Sequence, residues 1–323
     1  MTSRRAVCYI FGVKLIDRAV TGLLPFIPRP IVRRFSGRYI AGDNLAAAAQ
    51  VVRDLNQRRM MATVDVLGEF ITSLDEADAT CRAYEEALLA IEKEGLDSNV
   101  SVKLTAMGLL LDGEHCYGLT KRLCLFAAAR RNFVRIDMED SSCTTRTLDV
   151  YRRLRGEGVD NVGIVLQAYM RRSLDDIRSL LPLEPNVRVC KGIYVEPREV
   201  AYQEPEKVNE NYELMVDTLL SNGCYVGIAT HDEKLVAAGY RIVKALKLPA
   251  QHYEFQMLLG VREALRQSIV DSGHRLRVYV PYGAQWYAYS VRRLKENPKL
   301  AGYVLKNILG GRDTNGEIPE SKG

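Results

Sequence analysis

Short apolar runs alternate with longer amphipathic segments along most of this chain. Each run is rich in β-type residues, and the segment after it repeats its apolar positions at helical spacing. The predicted strands are 62–67, 100–104, 133–138, 163–168, 187–191, 225–229, 253–257 and 276–280. The predicted helices include 44–58, 76–92, 121–131, 144–156, 206–221, 233–246, 261–272 and 284–296. Strands that alternate with helices predict βαβ units and a parallel sheet.

Eight successive β-then-α units predict an α/β protein with a closed (β/α)8 TIM-type barrel. An open, doubly wound sheet is the alternative, and it would usually carry a glycine-rich phosphate loop. No GxxxxGKS/T motif is present, and the nearest approach to GxGxxG, at 156–161, follows a helix instead of a strand. The predicted organisation is a helical N-terminal extension over 1–43, the barrel over 44–305 and a tail over 306–323.

Polar residues lie inside or just past the predicted strands. In this fold the functional groups gather at the carboxyl ends of the strands. Burying a charge without a partner costs roughly several kcal/mol. The presence of charged residues in these apolar strands therefore requires an explanation. Any two of them, such as Lys103 and Asp137, could form a structural ion pair, but a set at one end of all the strands favours a binding site. The set includes Lys103, Asp137, Gln167, Arg188, Lys191, Thr230, His231 and Tyr279.

A predicted helix near the C-terminus carries two adjacent arginines, Arg292 and Arg293. Tyr289 precedes Arg292 by three positions and Glu296 follows it by four, so the three side chains share one helix face. A guanidinium offers paired N–H donors that match the two oxygens of a carboxylate. The alternative is a solvated basic patch, but the position after the last strand favours an anion site.

Composition and charge narrow the classes of function. The chain has 323 residues, 47% of them hydrophobic, and a formal net charge of +5, which is too mild for a nucleic-acid partner. Seven cysteines without a CxxC motif and four histidines without ligand spacing predict no metal site. We expect a cytoplasmic protein. The apolar, basic segment 23–34 either packs on the domain or rests on a membrane surface.

The candidate chemistry is that of a cofactor enzyme. The sequence shows neither a nucleophile elbow nor paired carboxylates for glycoside hydrolysis, and Cys190 lies in a strand where packing is its expected role. A set rich in cations and amides suits an anionic substrate together with a cofactor that carries out the difficult chemistry.

Seven motifs, in order, resemble those of the proline dehydrogenase family in its short, monofunctional bacterial form. They span roughly residues 35–300 of the chain. The motifs are VSVKLT (100–105), RIDME (135–139), LQAY (166–169), RVCKGIY (188–194), ATH (229–231), EFQML (254–258) and YSVRRLKEN (289–297).

The resemblance implies a flavin-bearing barrel that oxidises L-proline to Δ1-pyrroline-5-carboxylate and passes the electrons to a membrane quinone. FAD is the expected flavin, and FMN remains open. A separate pyrroline-5-carboxylate dehydrogenase is expected to take the product, because no aldehyde dehydrogenase region is recognisable. Contact with the inner face of the membrane would then be peripheral.

The resemblance also assigns the site. Asp137 and Arg188 have catalytic positions. The substrate-binding positions are Lys103, Tyr194, Leu258, Tyr279, Tyr289, Arg292 and Arg293. The cofactor-binding positions are Met138, Gln167, Arg188, Lys191, Gly192, Ile193, Thr230 and His231. Two alternatives remain, a flavin barrel of the methylenetetrahydrofolate reductase type and a ligand-binding barrel without turnover.

Overall fold

Eight parallel strands close into a barrel in which each strand pairs with the next and β8 pairs with β1. The structure is a computed structural model that describes residues 37–69, 71–287 and 290. The strands are β1 Met61–Val66, β2 Ser98–Val102, β3 Val134–Ile136, β4 Val162–Gln167, β5 Val187–Cys190, β6 Val226–Ala229, β7 Tyr253–Leu258 and β8 Leu276–Tyr282. The predicted (β/α)8 TIM-type barrel is confirmed.

Helices pack around this sheet, and one precedes the first strand. They are α1 Leu45–Gln57, α2 Leu74–Glu94, α3 Gly113–Ala128, α4 Ser141–Gly156, α5 Ser173–Leu180, α6 Pro205–Ser221, α7 Glu233–Ala245 and α8 Glu263–Asp271. The buried aliphatic residues of the strands and of the inner helix faces form one continuous core. The packed core leaves the two ends of the barrel as the places where functional side chains can gather.

Two helices differ from the predicted ones. Helix α3 begins at Gly113, eight residues before the predicted start at 121, because Asp112 accepts hydrogen bonds from the backbone N–H groups of Glu114 and His115. Helix α5 was absent from the pattern because it is short and rich in charged residues.

The last strand runs through Pro281 to Tyr282, two residues beyond the predicted end at 280. In a strand, the backbone N–H and C=O groups of every second residue point to the same neighbouring strand. Those of residues 279 and 281 point toward β7. Leu259 N–H still bonds to Tyr279 O, but β7 ends at Leu258, so Pro281 needs no N–H of its own. Its carbonyl accepts instead from Ala41 N–H at 2.9 Å.

Two glycines make room for long polar side chains inside the barrel. A Cβ on Gly163 would lie 2.6 Å from Phe133 Cζ and 2.7 Å from the carbonyl oxygen of Asn186, and would also meet the Arg135 guanidinium. A Cβ on Gly227 would meet the side-chain amide of Gln256. The interior is thus built to hold guanidinium and amide groups as well as aliphatic ones.

Some of the predictions concern segments outside the described residues. These are most of the helical extension over 1–43, the segment 23–34, the tail 306–323 and most of the last predicted helix. Among the helices that the structure does describe, none is long and apolar enough to cross a membrane.

We expect Gly163→Ala to lower the free energy of unfolding by about 2–3 kcal/mol, because the new methyl group overpacks a site bounded by backbone. Gly118→Ala is the matched control. Gly118 lies exposed within α3 with nothing near its Cβ position, so this change should stabilise by roughly 0.5–1 kcal/mol. Urea unfolding of both variants measures the difference, and equal effects would contradict the account of the interior.

Candidate active site

The carboxyl ends of the strands surround a cavity of about 320 Å³. Several predicted strands stop one or two residues early, so that Lys103, Asp137 and Lys191 lie just past the ends of β2, β3 and β5. The cavity is lined by Lys103, Asp137, Met138, Val165, Gln167, Arg188, Cys190, Lys191, Gly192, Ile193, Tyr194, Ala229, Thr230, His231, Asp232, Gln256, Met257, Leu258 and Tyr279.

Two buried cations meet two buried carboxylates at the bottom of this cavity. Lys103 Nζ lies 2.8 Å from Asp65 Oδ2 and 4.0 Å from Asp137 Oδ2. Arg188 Nη1 lies 2.6 Å from Asp137 Oδ1. Since every one of these side chains is almost fully withdrawn from water, each charge depends on its partner.

The pairing keeps Asp137 and Lys103 ionised at neutral pH. Burial alone would raise the pKa of Asp137, but Arg188 and Lys103 outweigh burial and hold it below its ordinary value. Burial alone would lower the pKa of Lys103, but Asp65 and Asp137 reverse that effect and raise it. Asp137 is therefore a poor proton acceptor, and Lys103 carries a full positive charge.

Neutral side chains fix the orientation of each ion pair. Tyr279 Oη donates to Asp137 Oδ2 at 2.9 Å and accepts from Lys103 Nζ at 3.3 Å. Ser101 Oγ donates to Asp137 Oδ1 at 2.6 Å. On the far side of Lys103, Tyr84 Oη of α2 donates to Asp65 Oδ1 at 3.0 Å. Among the described residues, the ammonium group thus uses two of its three N–H bonds, which leaves the third for a ligand.

Gln256 ties Arg188 to the interior of the barrel. Its side-chain oxygen accepts from Arg188 Nε, and its amide nitrogen donates to Glu254. Glu254 is buried against Arg277, whose Nε lies 2.7 Å from Glu254 Oε1. The catalytic candidate Arg188 is therefore held at both ends of its guanidinium, by Asp137 above and by Gln256 below.

The positive charges that line the described cavity are balanced by carboxylates. The sequence had indicated a set rich in cations and amides, without these partners. Lys191 Nζ lies 2.8 Å from Asp232 Oδ2, so each of the three cations that line the cavity has a carboxylate partner. The reason is that unpaired charges are too costly to bury in a packed barrel. An additional anion would need a cation beyond these three.

One wall of the cavity has polar groups that suit a flat, hydrogen-bonding cofactor. Gln167 is 3% exposed, and its side-chain oxygen has no hydrogen-bond partner among the described residues, although its amide nitrogen donates to Met138 O. Gly192 has φ 106°, and a Cβ there would strike the ring of Tyr169. His231 Nε2 accepts from Leu258 N–H at 2.9 Å, which places the ring proton on Nδ1. The amide oxygen of Gln167 suits an N–H donor at the edge of an isoalloxazine ring, while Gly192 leaves room for the ring of Tyr169 behind this wall.

Cys190 also lines the cavity. Burial raises the pKa of its thiol to about 11, so the group stays neutral and serves as packing. Within the described chain, no group of three or more His, Cys, Asp and Glu side chains is placed to hold a metal ion.

Every predicted site residue that the structure describes lines this one cavity. Tyr289, Arg292 and Arg293 lie outside the described residues, and their roles stay predictions. The sequence analysis missed Asp65, Gln256 and Asp232, which hold Lys103, Arg188 and Lys191. An Asp within the apolar run of β1 was the available signal for Asp65, because a buried carboxylate demands a cation.

Comparisons with known proteins agree with these motifs. A family model described as proline dehydrogenase matches residues 48–304. Proline dehydrogenase 1 of Bacillus subtilis is 38% identical over 274 residues, which cover 84% of this chain and 90% of that protein. Proline dehydrogenase of Deinococcus radiodurans is 39% identical over 283 residues, with 85% and 90% covered.

A solved structure supports the fold in three dimensions. Proline utilization A from Bdellovibrio bacteriovorus, inactivated by N-propargylglycine, superposes with a TM-score of 0.79 at 25% identity. The match covers 94% of this chain and 38% of that longer one.

A double-mutant cycle tests the buried pair. We expect Lys103→Met to lower the free energy of unfolding by about 3–5 kcal/mol, because it leaves Asp65 buried without its cation. Lys103→Met combined with Asp65→Asn should cost less than the sum of the single changes by more than about 1 kcal/mol. Urea unfolding of the four proteins at pH 7 measures the coupling, and additive effects would show that the two charges do not depend on each other.

Proposed function

This chain belongs to the proline dehydrogenase family, and from that premise we propose how its residues divide the work and which partners it uses. The family makes it a flavin-dependent oxidoreductase that oxidises proline in the first step of proline catabolism. The reductase-type barrel and the barrel without turnover are thereby set aside.

The proposal depends on one observation, the pairing of every cation that lines the described cavity. Because Lys103, Arg188 and Lys191 already have carboxylate partners, the carboxylate of proline needs further donors. Arg292 and Arg293, on the predicted helix after β8, would supply them as a clamp. Lys103 would add the one N–H bond that Asp65 and Tyr279 leave available.

The pyrrolidine ring would lie against the aromatic and aliphatic residues Tyr194, Leu258, Tyr279 and Tyr289. The first three line the cavity beside Lys103. A carboxylate fixed at one end and a ring packed at the other leave little freedom to rotate. The ring carbon that loses hydride is then aimed in one direction, which is a positioning contribution to the rate.

A flavin bound along the Gln167 wall supplies the acceptor for the hydride and its electron pair. The donor carbon of proline is next to the ring nitrogen, whose lone pair must be free for the C=N bond to form. A protonated amine would add a cation near Arg292 and Arg293, so the clamp favours the neutral amine.

Arg188 and Asp137 act as a unit in this proposal. The guanidinium of Arg188 would stabilise negative charge that develops on the ring system of the cofactor. Asp137 keeps Arg188 and Tyr279 in place and stays ionised, so we assign it a positioning role without proton transfer.

The residues proposed to hold the flavin are Met138, Gln167, Lys191, Gly192, Ile193, Thr230 and His231. We propose FAD over FMN. The choice follows the family resemblance. Lys191 at the cavity edge is already paired with Asp232, whose carboxylate also caps the N-terminus of α7.

We also propose a membrane quinone as the electron acceptor and a separate pyrroline-5-carboxylate dehydrogenase as the consumer of the product. A quinone dissolved in lipid requires the cytoplasmic protein to approach the membrane surface. The exposed Ile193 and Val195, in the loop after β5, place apolar side chains beside the cavity and support that approach.

Anaerobic addition of L-proline should bleach the visible flavin band of the purified protein. A short-chain quinone should then restore the band, and acid extraction should release FAD. The absorption spectrum and chromatography of the released flavin measure these outcomes. Retention of the band with excess proline would contradict the activity, and release of FMN would contradict only the choice of flavin.

Arg292→Ala and Arg293→Ala should each lower kcat/KM for proline, because a charge-assisted carboxylate contact is lost. The decrease should correspond to a loss of about 2–4 kcal/mol of transition-state stabilisation. The loss should appear mainly in KM. Arg178→Ala, which removes an exposed arginine paired only with Asp175, is the matched control. Steady-state rates within about twofold of wild type for either clamp variant would contradict the proposal.

A further inference from the structure

A second cavity opens at the opposite, amino-terminal end of the barrel. Its volume is about 450 Å³, which is within the range of roughly 300–1,000 Å³ that small-molecule sites occupy. It lies among the residues that precede or begin the strands, including Asn99, Phe133, Arg135, Tyr225, Glu254 and Arg277. The barrel core separates it from the active site.

Most charges around this second cavity are paired. Arg277 Nε lies 2.7 Å from Glu254 Oε1, and Tyr225 Oη donates to Glu254 Oε2 at 2.9 Å. Arg130 Nε lies 3.2 Å from Glu92 Oε2 at the rim. The carboxylate of Glu254 is thus fully used by Arg277, Tyr225 and Gln256, and leaves nothing for a further cation.

Arg135 is different, because no carboxylate of the described chain lies within ion-pair distance of it. It is 2% exposed and donates to three neutral oxygens, the carbonyls of Ile164 and Asn186 and the side chain of Asn186. Its Nε has no hydrogen-bond partner in the part of the chain that the structure describes. A guanidinium cannot lose its proton at physiological pH, so a buried positive charge remains without a counter-ion.

Asn99 lines the same cavity and adds a second unsatisfied group. It is 9% exposed, and its Oδ1 has no hydrogen-bond partner within residues 37–69, 71–287 and 290. An amide oxygen requires a donor, whereas the N–H of Arg135 requires an acceptor that carries negative charge. One ligand that offers both an anionic oxygen and a neighbouring O–H group would satisfy the two residues together.

We propose that this amino-terminal cavity binds a small oxyanion that carries a hydroxyl donor, of which a 2-hydroxycarboxylate and hydrogen phosphate are the two sources. The oxyanion lies against Arg135 and the hydroxyl donates to Asn99. Phe133 provides an apolar wall for the carbon atoms of an organic ligand, which favours the hydroxycarboxylate. This site is distinct from the carboxylate clamp at the other end of the barrel.

The test uses the flavin-loaded protein and measures the thermal midpoint as a function of ligand at constant ionic strength. Glycolate and acetate form one matched pair, and hydrogen phosphate and sulfate at pH 7 form the other, since only the first of each pair carries a hydroxyl donor. Saturating glycolate should raise the midpoint by about 2 °C or more. Glycolate should also bind at least about tenfold more tightly than acetate.

Two variants remove the site in different ways. Arg135→Met deletes the charge, and Asn99→Asp keeps the shape of the side chain but brings a carboxylate into the cavity. Both should abolish the glycolate shift. The controls Arg178→Met and the double variant Arg292→Ala/Arg293→Ala should retain it, and the latter separates this site from the clamp.

An increase in the thermal midpoint with glycolate that is no larger than the increase with chloride would overturn the proposal. An increase with glycolate in Arg135→Met equal to that of the wild-type protein would also overturn it. A shift with hydrogen phosphate alone would identify phosphate as the source, whereas a shift lost only in the clamp variant would place the ligand in the active site and refute the second one.

Discussion

The pairing of buried charges inside the barrel is the constraint on which the rest of this structure depends. Parallel strands closed into a barrel leave almost no water in the interior, so a cation there is tolerable only beside a carboxylate or a set of oxygens. Lys103 with Asp65, and Arg188 with Asp137, meet this requirement at the carboxyl ends of the strands. Arg277 with Glu254 meets it at the other end. Gln256 joins the two levels through hydrogen bonds to Arg188 and Glu254, so the polar interior is one connected network.

This constraint explains how the oxidation of proline is shared among the residues. Functional cations that are held by carboxylates keep fixed positions, which suits the orientation of a small ring beside a flavin. The same pairing makes them weak binders of a further anion. We therefore propose that Arg292 and Arg293, on the predicted helix after β8, bind the substrate carboxylate, and that the barrel strands hold the other site residues rigidly. Asp137 illustrates the division, because the cations that lower its pKa also prevent it from acting as a base.

The barrel could be predicted from the sequence because its signal is local, an apolar run followed by a helical period, repeated eight times. The convergence of the described candidate residues on one cavity could be predicted because strand ends converge in this fold. Their partners could not, since Asp65 and Gln256 lie within apolar runs, where a polar residue shows that a partner exists but not which one. Pro281 was misread for a similar reason. A strand tolerates a proline only where no neighbouring carbonyl needs its N–H. That condition depends on where β7 ends, which only the register of the β7–β8 pairing reveals.

A crystal structure of the flavin-loaded protein with L-proline bound would test the central claim most directly. The account predicts that Arg188 remains on Asp137 and Lys103 on Asp65, while the carboxylate of proline contacts Arg292 and Arg293. A structure in which Arg188 or Lys191 has left its carboxylate partner to bind the substrate, with the two arginines turned away from the cavity, would contradict it.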